Sequence, residues 1–190
     1  MPASSTSESL DSLLARAERY ASFAMRQFGR VPPTLLALSP GGSLCFMPDS
    51  LADERAKSDF ANTARLICIA HGATAAVLVA EAWMRAAPPG GSLDTSEPPS
   101  EALDRKEVVI LMGESRARQK QKFLPIIRTD AGGFFGFGEF DGPACDRVQG
   151  RFAQILPPQD PTPQIQAHAK ELLARLGIAD TSLHTGPEGN

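Results

Sequence analysis

The stretch Ala75-Ala76-Val77-Leu78-Val79-Ala80-Glu81-Ala82-Trp83-Met84 decides how this chain is read. It is rich in Val, Leu and Ala, and the helical period of the segments before it gives way here to short β-type runs. The apolar part, Ala73 to Met84, is about 12 residues, too short for a bilayer, which needs about 20. As a strand, its alternation places Glu81 on one face with Val77, Val79 and Trp83.

Downstream, Val108–Met112, Phe123–Ile127 and Phe134–Phe140 are three more strand-like runs. Turns are expected at Gly113–Arg118 and at Asp130-Ala131-Gly132-Gly133, so these runs read as a meander. The Pro-, Gly- and Ser-rich segment Ala87–Leu103 separates them from the first strand as a long loop. Upstream, Leu51–His71 reads as an amphipathic helix with Asp49 and Ser50 as N-cap candidates. Before it, Thr34–Leu38 and Ser43–Met47 flank Pro40-Gly41-Gly42, a hairpin signal. The first helix is read over Ser9–Phe28 from the stripe Leu10, Leu13, Leu14, Ala17, Tyr20, Ala21, Ala24 and Phe28, with Gly29 as its stop.

The expected order is α-β-β-α-β-β-β-β-α. It defines an α+β fold, an antiparallel sheet of five to six strands with two main helices packed on one face. The order is similar to that of profilin-like sheets, the layout of roadblock, PAS and GAF domains, a fold analogy that carries no function. The expected organisation is a disordered N-terminus at 1–8 and a single domain over 9–156. A Pro-rich linker at 157–162, a C-terminal helix at 163–177 and a flexible tail at 178–190 follow.

With 42% hydrophobic residues the chain is not a disordered one. Its 19 basic and 22 acidic residues leave a net charge of −3, which does not select a polyanion such as nucleic acid over its whole surface. No membrane segment or secretory signal is read, and Cys45, Cys68 and Cys145 form no CxxC pair, so a reduced, cytoplasmic setting is expected. His71, His168 and His184 form no HxH or HExxH pattern, so no metal is expected. Ser39, Ser100 and Ser115 lack a nucleophile elbow, and Gly136-Phe137-Gly138 is no phosphate loop. No catalytic residue and no cofactor is assigned.

Three clusters stand out. A carboxylate at Glu81 among apolar neighbours needs a partner or a wet strand end. The candidates are Arg105 and Arg128, with Glu107 close by in sequence. An arginine can offer a carboxylate two parallel hydrogen bonds. The structural ion-pair reading is favoured over a raised-pKa acid or base and over a substrate clamp. Second, Arg116, Arg118, Lys120 and Lys122 alternate at a spacing of two. From Asp104 to Arg128 seven basic residues meet three acidic ones, a local +4. A solvated face guarding a sheet edge is favoured over phosphate binding. Third, alternation puts Phe135 and Phe137 on one face as an interaction surface, with Phe134, Gly136, Gly138 and Phe140 on the other.

Glu81-Ala82-Trp83, followed by Pro99-Ser100-Glu101, Asp104-Arg105 and Glu107-Val108, resembles a family of uncharacterised bacterial proteins. In that family a strand ending in Glu-Ala-Trp leads into a Pro/Ser/Asp-Arg-x-Glu segment. The resemblance covers roughly Ala75 to Asp141. It implies no activity, substrate or cofactor, and it implies that Glu81, Trp83 and Arg105 lie in one spatial cluster.

The expected function is therefore a small non-catalytic domain acting through protein contact, with a protein partner or a second copy of itself. The alternative is a small-molecule or enzymatic site at Glu81, Trp83 and Arg105. A third reading is a nucleic-acid accessory role for the basic hairpin.

Overall fold

The computed structural model describes residues 4–49, 51–85, 101–140, 150–178 and 183, with side chains from Leu10 onward. The order is α1 (Ser4–Phe28), β1 (Thr34–Ser39), β2 (Gly42–Phe46), α2 (Glu54–Ala70), β3 (Ala75–Met84), β4 (Lys106–Ser115), β5 (Gln119–Arg128), β6 (Phe134–Phe137) and α3 (Pro163–Arg175). The six strands form one curled antiparallel sheet in the order β2-β1-β3-β4-β5-β6. This is the α+β arrangement expected, element for element. Most of the 87–103 loop and of the 178–190 tail, together with Ser50, Ser100, Cys145 and His184, lie outside the described residues.

The placement of the helices corrects the expectation of a single covered face. α1 packs on Leu36, Val77, Val79, Val109, Leu111 and Leu124. α2, with α3 packed on it, covers Leu35, Ala37, Ala76 and Leu78, which point the other way. The sheet is thus the middle of three layers. The reason is legible in β3: Ala75 to Val79 is buried at every position, not at alternate ones. A continuous apolar run is what a strand covered on both faces requires. Ala75 and Ala76, one on each face, leave room for a helix on either side.

Local chemistry sets the boundaries. α1 starts at Ser4, inside the segment expected to be disordered, and Gly29 at φ +69° closes it, donating to Met25 O at 3.0 Å. α2 is capped by Asp53, whose side chain accepts from Ala56 N at 2.7 Å, four and three residues later than the Asp49 and Ser50 candidates. Gly113 belongs to β4 and not to the turn after it. A Cβ there would come within 3.2 Å of Leu10, Leu14 and the Lys120 carbonyl oxygen, so the absent side chain lets α1 press onto the sheet. Thr162 caps α3 with Pro163 in its first turn. Ala169 and Leu173 of α3 are buried with α2, so the C-terminal helix is part of the core.

Candidate functional site

β3 leaves the cover of the helices at Ala80, and its last residues reach the surface. Its register sets Glu81 opposite Val109 and Trp83 opposite Glu107 on β4. All four lie on the α1 face, because that face carries Val77, Val79 and Val109. Glu107 and Arg128 meet as a fork, Nε–Oε2 at 2.7 Å and Nη2–Oε1 at 2.6 Å. This double hydrogen bond, reinforced by the charge of Glu107 and of Glu81, holds the Arg128 pKa above its ordinary value. Arg105 lies over the Trp83 ring, 4.5 Å from its centroid. The Glu81 carboxylate accepts the backbone N–H of Val31 at 2.6 Å, tying the end of α1 to β3. The structure thus gathers Glu81, Trp83, Arg105, Glu107 and Arg128 at one end of the sheet. The hydrogen bond to Glu81 comes from backbone, where the sequence suggested an arginine. Arg85 and Asp104, paired at 2.8 Å, close the start of β4 onto the end of β3.

The basic series divides. Arg118 pairs with Asp11, and Lys120 approaches the same carboxylate at 3.5 Å. Lys122 reaches Glu18 at 2.5 Å. Asp11 and Glu18 are seven residues apart on α1, about 10.5 Å, which falls between the two- and four-residue spans, about 7 and 13 Å, that separate Lys120 and Arg118 from Lys122. Arg116 sits in the turn and goes elsewhere, to Asp160 at 2.7 Å and to the Ala73 carbonyl at 3.2 Å. The four side chains therefore do not share one face as expected, because Arg116 lies beyond the strand. The Arg118 hydrogen bond holds the Asp11 carboxyl below its usual range, with the charges of Lys120 and Arg118 adding to it.

The phenylalanine pair is also split. Ile127 pairs with Gly136 but Arg128 pairs with Phe134, so Phe135 is an extra residue in β6, a bulge. The bulge resets the alternation. Phe134 and Phe137 both turn to the α1 core, with ring centroids 5.0 Å apart. Phe135 is left 74% exposed beside the 43% exposed Ile127. Phe135 and Phe137 therefore do not share the expected face. Phe140, expected on the face away from Phe137, stacks on Phe123 at 4.7 Å.

One polar centre escaped the sequence reading. Glu114 on β4 is 9% exposed, on the face away from α1. It accepts the N–H of Ile155 at 3.1 Å, and the neighbouring amides of Gln154 and Leu156 also favour its charged form. Gln154 at φ +56° turns these amides toward one point. Arg65 of α2 holds the other side of the same segment, donating to the carbonyls of Arg151 (2.6 Å), Ala153 (2.9 Å) and Gln154 (3.2 Å). Burial raises the Glu114 pKa against the pull of those amides and of Arg65. A cleft of about 660 Å³ opens beside this clasp, lined by Arg65, Glu114, Arg116 and Arg118 among others. The signal available in the sequence was parity: Glu114 follows Met112 at a step of two and so shares its inward face.

Cys45 and Cys68 are free thiols, and burial raises the pKa of both. Among the described residues no group of three or more His, Cys, Asp or Glu is placed to hold a metal ion. No helix among them is long and apolar enough to cross a membrane. The fold and these sites define an α+β domain with a sheet between two helical layers. No protein-family model, curated protein or solved structure matches the chain.

Proposed function

We propose that the chain is a non-catalytic binding domain that acts through protein contact, at the end of the sheet where Ile127 and Phe135 are exposed. The observation that carries this reading is the bulge. It ejects a phenylalanine from a core that takes in both of its aromatic neighbours, leaving it 74% exposed. Large exposed aromatics supply much of the energy of protein contacts.

The charged groups fit the same reading. Glu107 is forked to Arg128, Glu81 is bonded to Val31, and Asp11 and Glu18 answer the cations of β5. A substrate or a phosphate backbone would have to displace these partners. Glu114 and Arg65 are likewise engaged with the 151–156 backbone. The cytoplasmic setting and the resemblance to the uncharacterised bacterial family belong to this proposal. The free thiols agree with the first, and the meeting of Arg105 with Trp83 agrees with the second.

The test is affinity capture from the native cell with the wild-type chain and with Ile127→Ser/Phe135→Ser. The double variant leaves the core untouched. Partners lost with it support the reading. Partners kept unchanged, or none specific to the wild type, overturn it.

A further inference from the structure

At its other edge the sheet ends in a strand unpaired on its outer side. β2 is the end strand there, and among the described residues no strand lies outside it. Its turn fixes which backbone groups face outward. Ser39 pairs with Gly42 across a two-residue connection, so these two exchange both hydrogen bonds. The same holds at every second pair, Ala37 with Leu44 and Leu35 with Phe46. The N–H and C=O of Ser43 and Cys45 therefore point away from β1, into the open edge.

Natural sheets guard such edges with charge, proline, bulges or short strands. The β6 edge has two of these: it is four residues long and bulged. The β2 strand, Gly-Ser-Leu-Cys-Phe, has no charge, no proline and no bulge against β1. Both of its faces are already covered, with Cys45 against the α1 core and Leu44 and Phe46 against the α2 core. Arg16 donates to Ser43 Oγ at 2.7 Å, on the α1 side of the strand.

We propose that β2 pairs antiparallel with β2 of a second copy of this chain, about a two-fold axis at Leu44. Ser43 then faces Cys45 of the second copy, and Cys45 faces its Ser43. Each pair exchanges two hydrogen bonds, and the two Leu44 side chains meet on the α2 face. An uncharged strand is what allows self-pairing, because a two-fold axis brings identical side chains together. The contact is independent of the Ile127–Phe135 end. A five-residue edge buries less than the roughly 800 Å² per partner of a standard interface, so the dimer is weak and concentration-dependent.

Sedimentation velocity of the full chain, from low to high micromolar concentration, tests it. The wild type shifts from monomer to dimer. Ser43→Pro removes an outward donor and no β1–β2 hydrogen bond, so it stays monomeric while keeping its far-UV circular dichroism. Hydrogen exchange on the unaltered chain gives the same answer without a variant. The Ser43 and Cys45 amides gain protection as concentration rises, and those of 134–137 do not. A wild type that stays monomeric throughout overturns the proposal. So does a dimer that persists in folded Ser43→Pro, or one that protects 134–137 instead.

Discussion

The backbone amide of Ile155 donates to the carboxylate of Glu114 at 3.1 Å, joining residues 41 apart in sequence. That bond, with the Arg65 guanidinium on the neighbouring carbonyls, fastens the segment leading into α3 onto β4 and α2. It brings Ile155 and Leu156 into the core, 3% and 5% exposed.

Replacing Glu114 with Ala leaves the Ile155 amide without its acceptor, at about 1–3 kcal/mol. Denaturant titration should show a loss of at least that size, and Glu114→Gln, which keeps one acceptor oxygen, a smaller one. Their pH dependence has a definite sign. Burial raises the Glu114 pKa above its ordinary 4.5, so its contribution is full below that value and declines as pH rises through the folded pKa. The wild type should therefore lose ground to Glu114→Gln as pH increases from about 4.5 toward neutrality.

Asp11 and Glu54 act in the opposite direction. Arg118 depresses the Asp11 pKa below 3.8, and hydrogen bonds from Arg151 and Lys57 take Glu54 down to about 2. Their contribution is present above the unfolded values and is lost as pH falls through the folded ones. Both lie at the surface. Asp11→Asn should thus lower stability at pH 7 by a few tenths to about 1 kcal/mol, less at high salt, and by nothing near pH 2. Melting temperatures across pH and ionic strength check this.

Trp83 is the single tryptophan of the chain, so its fluorescence reports the stack with Arg105. Arg105→Ala should shift the emission maximum and quantum yield while leaving the fold intact. An exposed cation–π contact of this kind contributes about 0.5–1 kcal/mol. Unchanged emission would mean that the stack does not persist in solution.

The three-layer arrangement predicts two cores that fail separately. Leu13 is 2% exposed under α1, and Ile67 is fully buried under α2 on the other face. Each, changed to Ala, should cost about 2–5 kcal/mol in urea unfolding. With the sheet between them, the two losses should add to within about 0.5 kcal/mol in the double variant.

The element order was legible because period and punctuation agree along the chain. The stripe from Leu10 to Ala24, Pro40-Gly41-Gly42 and the Pro163 start each act within a few residues, while Phe28, read into the stripe, is exposed. Parity within an unbroken strand put Glu81 and Trp83 on one face, and the strand register, which the sequence does not display, adds Glu107 and Arg128. Parity failed at Phe135, since a bulge depends on how β6 meets β5 and leaves no local mark. The face covered by each helix was written in Ala75–Val79, as continuous burial, but composition alone read that run only as a strand. Glu114 stayed hidden because its partners come from a backbone turn at Gln154, far away in sequence and without a motif.

Among the described residues, β3 is the one strand of the first half of the chain that pairs with a strand of the second. A gene divided between Met84 and Lys106 would give two polypeptides, each holding one side of a ten-pair ladder. Co-expressed, they have matching edges and matching greasy faces, so this fold is suited to reassembly from two separately made pieces.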